Sequence, residues 1–124
     1  MRLNEKTIDR TVIYNGSIID LEVHDVELPD GSTSKRELVF HHGAVAVCAI
    51  TPENEVLLVK QFRKAADQPL LEIPAGKLEQ GEDRKEAAIR ELQEETGYIA
   101  SDLQFVTNMY GSPGSSSEKL SKYL

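Results

Sequence analysis

Helical periodicity occurs in one stretch of this chain only, and that limits the folds open to it. After Gly81, residues 82–96 are good helix formers, with Ala88, Ile89, Leu92 and Thr96 spaced to bury one face. Acids at Glu82, Asp83 and Glu86 suit the positive end of such a helix. Gly97 stands where a left-handed C-terminal cap is expected. The remainder reads as strands and turns. Residues 11–14 run into Asn15-Gly16, a dipeptide suited to a type I′ hairpin. Ile19, Leu21 and Val23 then alternate with polar residues as a half-buried strand does. Pro29-Asp30-Gly31 carries turn chemistry, and residues 36–40 are extended. Residues 44–50 are almost wholly apolar and read as a central strand covered on both faces. Residues 56–62 return as a strand, 63–69 form a loop, 103–110 a strand, 111–117 a Gly/Ser/Pro loop, and 119–124 begin another extended segment. Several strands with one helix make an α+β fold in which one sheet face lacks a cover. Either a partner chain supplies the missing layer, or the chain is part of a longer protein.

At 124 residues a second independent core would be hard to stabilise. The hydrophobic fraction of 40% and charged fraction of 28% are those of a globular domain. Twenty-one acids against fourteen bases leave a net charge of −7 with no run of Lys or Arg, which argues against a nucleic-acid partner. The longest apolar run, residues 44–50, is too short to span a bilayer. The N-terminus, Met1-Arg2-Leu3-Asn4-Glu5-Lys6, lacks the apolar stretch of a signal peptide. One cysteine, Cys48, excludes an internal disulfide and a cysteine-built zinc site, and in its apolar run it reads as a small core residue. The expectation is a soluble, cytoplasmic domain.

The end of the helix carries the chemistry. In Arg90-Glu91-Leu92-Gln93-Glu94-Glu95-Thr96-Gly97, Glu91 lies one turn from both Glu94 and Glu95, so the three carboxylates can converge on one edge. They face the negative end of the helix dipole, where each costs about 0.3–1 kcal/mol. A sequence shaped by stability alone would place Lys or Arg there. A solvated charged face is the plain reading of such a cluster. The alternative is a site for a hard cation, since carboxylate oxygens suit Mg²⁺ or Mn²⁺.

The longer pattern separates the two. Gly76, Glu82, Arg90, Glu91, Leu92, Glu94, Glu95 and Gly97 stand at the spacing of the Nudix box, GX5EX7REUXEEXGU with U bulky and apolar, and the chain thereby resembles the Nudix hydrolase family. Tyr98 occupies the last U, where an aliphatic residue is more usual. At frequencies of about 6% each, seven such fixed positions coincide by chance at roughly 3 × 10⁻⁹ per starting point. The resemblance implies a Nudix-type α/β/α sandwich with a mixed sheet, and hydrolysis of a nucleoside diphosphate linked to another moiety. It makes Glu91 and Glu95 magnesium ligands together with the Ala75 carbonyl, and places Glu94 beside them. Gly76, Glu82, Arg90 and Gly97 become structural parts of the motif, with Glu82 and Arg90 tying loop to helix.

Flanking residues narrow the resemblance. Leu71-Glu72-Ile73-Pro74-Ala75-Gly76, Gln61-Phe62-Arg63, and Pro113 sixteen residues beyond Gly97 are similar to the ADP-ribose pyrophosphatase subgroup. The β-rich segment 1–40 resembles that subgroup's small antiparallel N-terminal domain, exchanged between the subunits of a homodimer. The domain division that follows is 1–40 for dimerisation and 41–124 for the Nudix domain, incomplete at its C-terminus. The loop carrying the subgroup's candidate general base would lie beyond Leu124. Arg63 would contact a substrate phosphate, and Arg36 with Glu37 would reach the partner's site to hold adenine and ribose. Pro113 would line the substrate. His41 and His42 read as structural or rim residues, and Glu118 either approaches the metal through water or is a solvated loop acid. The expected activity is Mg²⁺-dependent cleavage of ADP-ribose or a related nucleoside diphosphate sugar to AMP and ribose 5-phosphate. The competing readings are NADH or dinucleoside polyphosphates as substrates, and a truncated domain that binds nucleotide without turnover.

Overall fold

The structure, a computed structural model, describes residues 3–124. Met1 and Arg2, which open the stretch read for a leader and the N-terminal segment, lie outside the described residues. The chain divides into two compact units, one containing the N-terminal residues through His42 together with Tyr110–Glu118, the other Gly43–Met109 with Lys119–Leu124.

The first unit is an antiparallel meander of β1 (Lys6–Asn15), β2 (Ile19–Glu27) and β3 (Thr33–His41) in spatial order 1-2-3. Its register sets Asn15 opposite Asp20 and Ile19 opposite His41. The expected type I′ turn is not formed, because neither Asn15 nor Gly16 takes a positive φ. Residues 16–18 make a wider connection closed by the Gly16 N–H donating to the Ile19 carbonyl. A bulge between Val12 and Tyr14 re-aims the strand, and the Tyr14 ring lies 2.5 Å from where a Cβ on Gly16 would sit. The second turn follows its sequence: Gly31 has φ 88°, and Asp30 Oδ1 accepts from the Ser32 N–H and hydroxyl. Loop 111–118 lies along β3, where Val39 N–H donates to the Ser115 carbonyl and Ser117 N–H to the Val39 carbonyl.

The second unit contains β4 (Ala44–Val47), β5 (Val59–Arg63), β6 (Gln68–Glu72), β7 (Ala75–Lys77), α1 (Arg84–Thr96), β8 (Phe105–Tyr110, its last residue in the first unit) and β9 (Lys119–Tyr123). Four strands form a mixed sheet in the order β7-β4-β9-β8, with β4 antiparallel to β7 and parallel to β9. α1 packs Ala87, Ala88 and Leu92 against Val45, Val47, Leu103 and Tyr123. The architecture is thus the expected α+β one, a mixed sheet with a helix and a separate antiparallel N-terminal sheet.

The central strand is shorter than its apolar run. β4 stops at Val47 because its neighbours run out: Val47 N–H donates to Pro74, just before β7, and Cys48 N–H to Tyr123, the last residue of β9. Cys48 is accordingly half-buried rather than in the core, and Ile50 is exposed. Residues 63–69 are not a plain loop. Gln68 and Pro69 start β6, which forms a hairpin with β5, and Pro69 is tolerated because this two-stranded ribbon has free edges.

Candidate metal and substrate site

α1 starts where its side chains can close the backbone. The Asp83 carboxylate accepts from the Glu86 N–H as N-cap, so Glu82 lies outside the helix. At the other end Gly97 takes φ 79° and donates its N–H to the Gln93 carbonyl. No basic residue occupies the last turn, so Glu94 and Glu95 face the helix carbonyls uncompensated within it.

Arg90 organises the acids. Its Nε and Nη2 donate to both Glu82 oxygens at 2.8 and 2.9 Å, while Nη1 donates to Glu91 at 2.9 Å and Glu94 at 3.2 Å. This fork holds the Glu82 carboxyl below the usual carboxylate range. It also fastens the 79–82 turn to the middle of the helix, since the other Glu82 contact is from the Glu79 N–H.

Two of the three helix-end carboxylates meet strand β7. The Glu91 carboxylate lies against the Gly76 backbone, where a Cβ would overlap it, so only glycine admits this approach. Glu95 Oε2 accepts from the Ala75 N–H at 3.4 Å. Burial raises the Glu95 carboxyl above its ordinary range; the Ala75 N–H opposes this and the neighbouring Glu91 charge adds to it. The third, Glu94, does not join them. It reaches outward to Arg90 and its side chain is 58% exposed. The expected convergence of three acids is therefore a pair beside β7 with one outlier.

Among the described residues no three acid, histidine or cysteine side chains stand close enough to form a metal cluster unaided. A magnesium ion does not require one, because it usually takes one or two carboxylates and keeps waters or phosphates for the rest. Glu91 and Glu95, two hard oxygen donors one turn apart against the strand that bears the Ala75 carbonyl, fit that demand.

Arg63 at the end of β5 donates from Nε and Nη2 to both oxygens of Glu72, at 2.7 and 2.8 Å, and both groups act electrostatically on Glu95. Glu72 lies in the flanking sequence pattern, and its pairing with Arg63 depends on the β5–β6 hairpin, for which Pro69 gives no sequence signal. Arg84, Ser121 and Asn108 also escaped the sequence reading, which had no signal for a side chain reaching between strands.

Arg36, Glu37, Pro113, His41 and Glu118 belong to the first unit. Arg36 does not pair with Glu37, as adjacent residues on a strand face opposite ways. It forms a two-pronged ion pair with Glu5 at 2.9 Å, while Glu37 is exposed. Pro113 lines a small cavity with Leu38, Phe40 and residues 115–117. Glu118 Oε2 lies 3.4 Å from His41 Nε2, and the His41 side chain is largely buried, as a structural role requires; His42 is exposed. In the second unit an apolar groove of about 540 Å³, lined by Ile50, Leu57, Leu92, Ile99 and Leu124, includes none of the site residues named from the sequence.

Residues 40–121 match the NUDIX domain family and residues 5–39 the nucleoside diphosphate sugar hydrolase N-terminal domain. An ADP-ribose pyrophosphatase of Bacillus subtilis (strain 168) is 53% identical over 122 residues, 98% of this chain and 66% of that protein. A methanol dehydrogenase activator of Bacillus methanolicus is 50% identical, covering 97% of this chain and 65% of that one. An ADP-ribose pyrophosphatase of Mycobacterium tuberculosis (strain ATCC 25618 / H37Rv) is 37% identical, covering 96% and 58%. The chain thus spans about two thirds of these relatives' length or less. Among solved structures, an ADP compounds hydrolase shares the fold with a TM-score of 0.84 at 23% identity, over 99% of this chain and 68% of that one. With two thirds of its residues in the matched domain, the chain belongs to the NUDIX domain family.

Proposed function

We propose that this chain carries the metal-binding part of a magnesium-dependent hydrolase that adds water across the diphosphate of ADP-ribose, or a related nucleoside diphosphate sugar, to give AMP and ribose 5-phosphate. The observation that carries the reading is the pair of carboxylates, Glu91 and Glu95, set against Ala75 and Gly76 at a helix end where they cost stability. The relatives named ADP-ribose pyrophosphatase support the substrate class. When bound, Mg²⁺ or Mn²⁺ would polarise phosphoryl oxygens and lower the pKa of a coordinated water. Glu91, Glu95 and the Ala75 carbonyl would hold it. Arg90 keeps Glu91 oriented and Glu94 within reach. Arg63, parked on Glu72, supplies a guanidinium whose fork matches a phosphate. With a net charge of −7, the protein needs such cationic help to hold a polyanion.

The reading extends to a homodimer acting in the cytoplasm, with segment 1–40 as the dimerisation domain and Arg36, Glu37 and Pro113 contributing to nucleotide binding. No described helix is long and apolar enough to cross a membrane. A second reading keeps the hydrolase and takes NADH or a dinucleoside polyphosphate as substrate. An assay with Mg²⁺ on ADP-ribose, ADP-glucose, NADH and diadenosine polyphosphates, with Glu95→Gln as control, separates the cases. Equal turnover by Glu95→Gln removes the metal assignment. Faster cleavage of NADH favours the second reading, and nucleotide binding without turnover indicates a non-catalytic domain.

A further inference from the structure

Arg84 stands outside the residues assigned so far, yet among the described residues its side chain makes three hydrogen bonds from α1 to the sheet. Its Nη1 donates to the Ala44 carbonyl at 3.2 Å, the Lys119 carbonyl at 3.0 Å and the Ser121 hydroxyl at 2.9 Å. Ser121 is fully buried and its hydroxyl in turn donates a hydrogen bond to Asn108 Oδ1 at 2.6 Å. Ala44 and Lys119 open the two parallel central strands, so this one guanidinium grips both where they begin. Gly43 is cut to fit it: a Cβ there would stand 2.6 Å from Nη2.

The position of Arg84 along the helix gives the contact a consequence. At 3.6 residues per turn, Arg84, Glu91 and Glu95 fall within about 40° of one another around the axis, on the stripe centred between buried Ala87 and Ala88. A polar anchor on that stripe fixes the rotation of α1, and the same rotation aims both carboxylates at β7. With side chains at a radius of about 6 Å, a turn of about 10° would move a carboxylate by ~1 Å. Misplacement on that scale can cost a hundredfold in catalysis. We infer that Arg84, through Ala44, Lys119 and Ser121, is the positioning residue that sets the azimuth of α1 and so the geometry of the Glu91–Glu95 cation site. The inference rests on the metal reading above.

The test is Mn²⁺ binding to the full chain, followed by the paramagnetic resonance signal of free Mn²⁺, for wild type, Arg84→Met, Arg84→Lys, Ser121→Ala and Glu95→Gln, with the folded fraction of each measured by circular dichroism. Arg84→Met is expected to weaken Mn²⁺ binding at least about tenfold per folded molecule. Arg84→Lys, which can satisfy fewer acceptors, should fall between it and wild type, and Ser121→Ala should lose a few fold. In turnover the same order should appear in the Mg²⁺ activation constant more than in the KM for the nucleotide. Wild-type affinity in folded Arg84→Met overturns the inference and leaves the metal site standing. If Arg84→Met does not fold, unchanged binding by Ser121→Ala and Arg84→Lys overturns it equally. Wild type and Glu95→Gln binding Mn²⁺ alike would instead remove the metal reading itself, and this inference with it.

Discussion

Gly76 shows how one missing atom can serve a charge. The Glu91 carboxylate occupies the space a side chain would take, so Gly76→Ala must push Glu91 away from β7. Because the backbone here needs no positive φ, the change should leave stability nearly intact, within about 1 kcal/mol, while divalent-ion affinity falls roughly 10- to 100-fold. Calorimetric Mn²⁺ titration beside a thermal melt checks both halves. Glu95 gives the complementary case. Burial raises its carboxyl in the folded state above the value in the unfolded chain, so its favourable contribution belongs to the protonated form. That contribution is present at low pH and is lost as pH rises from the ordinary carboxylate value through the raised one. Without divalent ions, Glu95→Gln should therefore raise Tm at neutral pH and lose that advantage on acidification below the carboxylate range. With millimolar Mg²⁺ the order should reverse, because only wild type gains from binding. Melts at two pH values, with chelator or with Mg²⁺, decide it.

At the scale of elements, α1 was legible because every local signal agreed: an acid at its start, a glycine at its end and apolar residues on one face. Asp83→Ala should cost about 1 kcal/mol, the usual value for a lost N-cap, read as a shift in the urea midpoint. The strands were legible in kind but not in extent, because strand ends depend on neighbours. Residues 48–50 are as apolar as 44–47, yet β4 ends where β7 and β9 cease to flank it. The β5–β6 hairpin was missed because Pro69 signals a loop in a central strand and is harmless on an edge. The Asn15-Gly16 turn is displaced by a feature of its own hairpin, a bulge between Val12 and Tyr14 beside a Tyr14 ring that lies over Gly16. Spacing alone gathered three acids at the helix end, and the family resemblance singled out Glu91 and Glu95. Glu94's turn toward Arg90, Arg63's attachment to Glu72 and Arg84's reach between strands were not legible, since each depends on a side-chain path set by elements distant in sequence.

Within the first unit, strand β1 is left without cover. Every residue of β1 is exposed, including Ile8, Val12, Ile13 and Tyr14, each at least half open to solvent, on a sheet of only three strands. Such an apolar strand is a template for pairing, and the proposed homodimer would cover it with the partner's surface, about 800 Å² per subunit for an ordinary stable interface. Sedimentation should then find a dimer, and Val12→Lys combined with Ile13→Lys should sediment as a monomer with unchanged circular dichroism. If Arg36 serves the partner's nucleotide while Glu95 serves its own chain's metal, each subunit carries half of two different sites. Arg36→Ala and Glu95→Gln should each be nearly inactive, and mixing them should restore turnover. With equal amounts and free exchange, half of the dimers pair one variant with the other, and each of these has one intact site of two. About a quarter of wild-type activity is the expected yield. No recovery from a mixture shown to have exchanged subunits would mean that Arg36 acts within its own chain or not at all.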